Sequence, residues 1–181
     1  MADSIITKQA LSQALKELIR NHEFDKISVG NICEVCGMNR KSFYYHFKDK
    51  YDLVNWIYYT EFITVIQKNE SLTGWDLLDE ICLYFYENRY LYQKTFRING
   101  QNSFTDYFSD IMKSIISADI AFYFQQQDSV EPFAEFYTDA FVVAIKKWLL
   151  KKDCMPPKQF SDFLKQCVLG VLQNVSLDQY L

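Results

Sequence analysis

Apolar positions recur at helical spacing along nearly the whole chain. The first run is Leu11, Ala14, Leu15, Leu18 and Ile19, with Lys8, Lys16, Glu17 and Arg20 filling the other face and Thr7 as a candidate N-cap. A polar connection, "NHEFDKIS", carries one apolar anchor, Phe24. Ser28 then stands where it can cap a second helix with Val29, Ile32, Cys33 and Cys36 on its inner face, and Gly37 ends that helix as a residue that tolerates positive φ. Only Met38 separates Gly37 from Asn39, a good N-cap for a third short helix running to about Phe47. Asp49 caps a fourth, with Asp52 at the third helical position completing a capping-box pattern.

Helical periodicity continues beyond this point with few breaks. Helices are expected near 50–69, 75–88, 89–96, 103–126, 130–152 and 157–175, about nine in all. "SLTG", "RINGQNS" with Ser103 as cap, "QQQDS" before Pro132, and "DCMPP" punctuate them. Only 5 Gly and 3 Pro occur, too few turn formers for a many-stranded β protein, so the expected class is all-α. The layout divides into a small N-terminal unit, 1–48, whose second and third helices form a helix-turn-helix, and a larger helical body, 49–181.

With 49% hydrophobic and 23% charged residues in 181, the chain can bury a core. The start lacks a basic, apolar leader, and no stretch approaches the roughly 18 uninterrupted apolar residues of a membrane span, so a cytoplasmic, membrane-free protein is expected. Five cysteines, an odd number, read as reduced thiols. Cys33 and Cys36 form a C-x-x-C, but on a helix they share one face, and small-core packing is preferred to a redox pair or half a metal site. With only His22 and His46 available, no metal site is expected, and nothing calls for a cofactor. Phosphate loops, G-x-S-x-G and H-E-x-x-H are all missing, so the chain is not read as an enzyme.

The net charge of −4 argues against a polyanion partner until its distribution is considered. Residues 38–50 contain four Lys or Arg and one acidic residue, a local +3. In "NRKSFYYHFKDK", residues 39–50, Phe43 and Phe47 lie one helical turn apart and can hold the helix, with Met38 leading into the same side. Arg40, Lys41, Ser42, Tyr44, Tyr45 and His46 are left to the first turn or outer faces. Arg and Lys there can reach guanine, and Ser and Tyr hydroxyls can donate to phosphate. Lys50, at the start of the next helix, is a candidate phosphate ligand. The bland alternative is an aromatic helix end with a solvated charge cluster.

Residues 24–54, "FDKISVGNICEVCGMNRKSFYYHFKDKYDLV", resemble the N-terminal signature of the TetR family of bacterial transcription regulators. The resemblance implies a homodimer that places the third helix of each subunit in the major groove of one half of a palindromic double-stranded DNA operator. Carried over by position, Arg40 and Lys41 would face bases, Ser28, Ser42, Tyr44 and His46 would lie at the backbone, and Lys50 would clamp a phosphate. Two positions depart from the family pattern: Lys41 stands where many members have a small residue, and Gly30 leaves the exposed side of helix two without a reader. Residues 86–108, "YENRYLYQKTFRINGQNSFTDYF", resemble the dihydroxyacetone kinase operon activator branch, which implies a partner protein carrying the small-molecule signal.

In the body, Tyr59, Phe62, Tyr84, Tyr92, Phe96, Phe108 and Phe122 are candidates to line an apolar effector pocket, with plain core packing the preferred alternative. The last two helices carry broad apolar stripes. On them Phe141, Ala144, Trp148, Phe163, Cys167 and Val171 are the candidate dimer contacts, and the resemblance implies a four-helix interface. The expected function is thus a TetR-like regulator controlled by a small ligand or a partner protein. The alternative is an all-α adaptor that acts through protein contacts without sequence-specific DNA binding.

Overall fold

The computed structural model describes residues 2–68, 72, 74–98, 103–123 and 131–174, with side chains described between 4 and 169 except 119–123. Among them nine helices form and no strand does. Helix α1 spans Ala2–Asn21, so Thr7 lies inside it rather than capping it, and Ile5 and Ile6 extend the helix as exposed residues. A single 3-10 turn, Phe24–Lys26, leads to α2 (Val29–Val35) and α3 (Arg40–His46).

Helix α4 begins as Lys50–Tyr58, passes through a π turn at Tyr59–Ile63 and closes with Thr64–Ile66. The body continues with α5 (Gly74–Glu87), α6 (Arg89–Thr95), α7 (Phe104–Tyr123), α8 (Glu131–Leu149) and α9 (Pro157–Asn174). Pro132 occupies the first turn of α8 and Pro157 the first position of α9, where a missing N–H costs nothing. Ser103 caps α7 by accepting from the Asp106 N–H, and Asp106 accepts in return from the Ser103 N–H.

One apolar core runs from Leu11 through Phe43, Tyr58 and Phe85 to Trp148 and Leu164. The small N-terminal unit is therefore bolted to the body rather than hung from it. Lys94 of α6 donates to the carbonyls of Ile19 and His22 at the end of α1, and Arg20 stacks on Tyr90 at 4.2 Å. Lys16 of α1 pairs with Glu61 in the π turn of α4. At the far side, Asp79 of α5 accepts from Lys158, Ser161 and Lys165 of α9. Burial alone would raise the Asp79 carboxyl, but these three donors outweigh it and bring its pKa down to about 2.

Candidate nucleic-acid interface

The turn between α2 and α3 is built by hydrogen bonds that need glycine. The N–H of Met38 donates to Cys33 O at 2.8 Å and the N–H of Gly37 to Glu34 O at 3.2 Å, the pair of bonds that closes a Schellman motif. Gly37 sits at φ 66°, in the left-handed region. Each helix then starts on its own cap. Ser28 Oγ accepts from the Asn31 N–H while Asn31 Oδ1 accepts from the Ser28 N–H, and Asn39 Oδ1 accepts from the Ser42 N–H at 2.8 Å. Asp49 accepts from the N–H groups of Tyr51 and Asp52, and Asp52 reaches back to the Lys48 N–H.

These caps aim α3. Phe43 and Phe47 are buried, with ring centroids 5.8 Å apart, and pin its inner face. Arg40 and Lys41 are exposed in the first turn, and Ser42 and His46 are half-buried at its edges. Tyr44 is 58% and Tyr45 83% exposed. Tyr45, to which the sequence gives no specific role, follows Lys41 by one helical turn and so shares its face. Its ring meets His46 edge-on at 4.9 Å.

Lys50 is placed differently from the phosphate ligand expected. Its ammonium donates to the carbonyls of Phe24 at 2.6 Å, Ile27 at 2.7 Å and Asp25 at 3.2 Å, and lies 4.7 Å from the Phe24 ring centroid. An ammonium has three N–H donors, and all three are taken by main chain. The N–H groups at the start of α4 are likewise engaged by Asp49. Burial lowers the Lys50 pKa, with Asp25 acting in the opposite direction. Lys50 therefore staples the 3-10 turn to the base of α4, and a phosphate would have to compete with three carbonyls for it. The hydroxyl of Ser28 is also engaged, bonding Asn31 Oδ1 at 2.6 Å.

The cysteine pair packs as small side chains. Cys33 is buried, its thiol pushed up by burial and then by Cys36, while the Cys36 thiol donates to Ile32 O at 3.2 Å. Among the described residues no group of His, Cys, Asp or Glu could hold a metal ion.

In the body, Phe62, Tyr92, Phe96 and Phe108 are buried and packed through their neighbours, with Tyr92 4.8 Å from Phe104 and Phe108 5.0 Å from Phe85. Tyr84 bonds Tyr92 hydroxyl to hydroxyl at 2.9 Å, and Tyr59 is exposed. Phe122 lies outside the residues whose side chains are described, as does Val171. On α8, Trp148 is only 3% exposed, stacks on Phe160 at 4.5 Å and donates to Met155 O, so it serves its own subunit. Phe141 and Ala144 also pack against the core. The stripe that α8 leaves open is instead Phe136, Ala140 and Val143, and on α9 Phe163 and Cys167 are exposed. The apolar run on α8 is wider than one face, and spacing alone does not fix which edge turns outward.

Residues 11–57, which hold α2 and α3 whole and part of the helix on either side, match the family described as "Bacterial regulatory proteins, tetR family". Residues 75–170, more than half the chain, match the family described as "Transcriptional regulator C-terminal region". The chain belongs to the TetR family of transcriptional regulators. This TetR-family chain is 31% identical over 121 residues to the HTH-type dhaKLM operon transcriptional activator DhaS of Lactococcus lactis subsp. lactis (strain IL1403), a match spanning 64% of each protein. Its fold is shared with a solved structure of the dihydroxyacetone kinase operon activator DhaS, with TM-score 0.68 and 22% identity over 92% of this chain and 96% of that one. It is shared as well with a TetR transcriptional regulator from Streptococcus agalactiae 2603V, with TM-score 0.68 and 19% identity over 90% and 93%. The α9 limb and the aromatic body thus belong to a regulator's C-terminal region, and among the described residues no helix is long and apolar enough to cross a membrane.

Proposed function

We propose that this TetR-family regulator is a cytoplasmic homodimer that binds a palindromic operator through residues 1–48 and receives its signal on the body, residues 49–181. The observation that carries the reading is the α3 surface: Arg40, Lys41, Tyr44 and Tyr45 stand exposed on a helix whose other face is fixed by Phe43 and Phe47. Arg40 and Lys41 face base edges, where a guanidinium or ammonium meets the guanine acceptors. Ser42, Tyr44 and His46 approach the sugar-phosphate backbone, and the Tyr45 ring packs on a thymine methyl or sugar. Ser28 joins the backbone contacts through the exposed start of α2. Lys50 holds the 3-10 turn before α2 against the start of α4. A second copy covers the exposed stripe of Phe136, Ala140, Val143, Phe163 and Cys167 and sets the two α3 helices about one turn of DNA apart or more.

The signal is a small ligand or a partner protein. Because the body's rings pack on one another, a ligand entering among Tyr84, Tyr92 and Phe108 must part them. Their displacement reaches the DNA-binding unit through α6, whose Lys94 holds the end of α1, and through the π turn that Glu61 ties to Lys16. The signal must bind one separation of the α3 helices more tightly than the other to exert control. The matched relative from Lactococcus lactis is named as an operon transcriptional activator, and control of an operon's transcription is the fitting output here too.

A salt titration separates this reading from that of an adaptor. Affinity for duplex DNA should fall steeply with salt, and Lys41→Ala or Arg40→Ala should weaken binding at every salt concentration. A protein whose affinity for duplex is indifferent to salt and to both substitutions would be the adaptor.

A further inference from the structure

Two glycines lie in the helix-turn-helix, and they are there for different reasons. Gly37 has the positive φ its turn requires, and a Cβ at that position would meet nothing within 4 Å. Gly30 has no such backbone need, since Gly37 is the only glycine with positive φ among the described residues. It is the second residue of α2, inside a helix of seven residues where glycine is a poor helix former. The reason lies across the turn. A Cβ on residue 30 would stand 2.6 Å from Nη2 of Arg40, 3.2 Å from its Nε and 3.3 Å from its Cζ. The guanidinium of Arg40 lies flush on the bare backbone of α2, at the edge of a depression of about 390 Å³ that Ser28, Asn31 and Glu34 help to line.

We infer that Gly30 is a specificity-determining, positioning residue: its missing side chain is the seat that directs the Arg40 guanidinium at a base edge. The inference rests on the DNA-binding reading above. Bidentate recognition of guanine depends on the plane and direction of the guanidinium fork, which a lysine cannot reproduce. The group that a methyl would displace is the far end of a flexible side chain, so it swings aside while the helices stay where they are. A Gly30→Ala protein therefore folds at least as well as the wild type and reads DNA less well. The family departure at residue 30 is thus the counterpart of Arg40, with α2 giving up a contact of its own to seat one from α3.

The experiment starts from the sequence that wild-type protein selects out of random duplex DNA. Binding is measured to that sequence and to duplexes carrying single base-pair changes, for wild type, Gly30→Ala, Arg40→Ala, Arg40→Lys and the Gly30→Ala/Arg40→Ala double variant. Gly30→Ala should keep the wild-type melting temperature or raise it and leave the salt slope unchanged. It should lower the preference for the base pair read by Arg40 by about tenfold, within the range of one bidentate contact. Arg40→Lys should lose the same preference, and in the Arg40→Ala background Gly30→Ala should change nothing further, because the two residues act as one unit. Unaltered base preference in Gly30→Ala, an equal loss with and without Arg40, or loss of helical content would overturn the inference while leaving DNA binding intact. Failure of the wild-type protein to select any sequence would overturn the DNA-binding reading itself, and this inference with it.

Discussion

Replacing Lys50 by methionine separates a structural lysine from a phosphate ligand. Methionine keeps the apolar stem over Phe24 and Tyr51, whose rings lie 4.7 and 5.8 Å from the ammonium, and removes only the charge and its donors. Three carbonyls lose a partner, those of Phe24, Asp25 and Ile27. Hydrogen bonds to a charged group contribute about 1.5–3 kcal/mol each when buried. Here the Asp25 bond is exposed and water can reach the others in part, so the net loss is discounted to about 2 kcal/mol. For a chain of this size that lowers the melting temperature by about 4–8 °C. The DNA assay gives the second readout: with no phosphate contact removed, the slope of log affinity against log salt should match wild type. A phosphate ligand would behave in the opposite way, with melting unchanged and the slope reduced by about one unit. That pair of results would refute the staple.

Gly37→Ala forces an ordinary residue to φ 66° with no compensating contact, and should cost about 1–2 kcal/mol, read from the urea midpoint. Tyr58→Phe should stabilise the fold by about 1 kcal/mol, read as a higher urea midpoint, because the Tyr58 hydroxyl is buried without a hydrogen-bond partner among the described residues and its ring contacts remain; a lowered midpoint would show that the hydroxyl is satisfied. Asp79→Asn should loosen α9 from α5 in a pH-dependent way. The folded carboxyl titrates at about 2, below its unfolded value of about 3.9, so its stabilisation is complete above about pH 4 and lost as pH falls through 2. Acid unfolding followed by circular dichroism should show the two proteins differing above pH 4 and converging near 2.

The features that can be read from the sequence are those in which a residue acts on its own neighbours. Ser28, Asn39, Asp49 and Ser103 cap the helices expected of them, and Gly37 makes the turn. Family membership is legible for the same reason, since the signature lies in one continuous stretch. Features set by distant partners are hidden. The carbonyls that hold Lys50 lie 23 to 26 residues away in sequence, and the guanidinium that explains Gly30 comes from the next helix. Periodicity shows that α8 is apolar but not its rotation. Trp148 consequently faces inward where an interface is expected, and Phe136 faces out. The start of α1 escapes a reading by periodicity because Ile5 and Ile6 lie off the buried face and mark no amphipathic phase.

On the proposed function, two copies of this chain present two α3 surfaces to one operator. Selection of bound duplexes from a random DNA pool by the purified full chain, at low salt, decides whether they do. The selected duplexes should share an inverted repeat whose half-sites are centred about 10 base pairs apart or a multiple of it, lost when Arg40 and Lys41 are both replaced by alanine. Recovery of no motif, or of one that survives that double replacement, would contradict it.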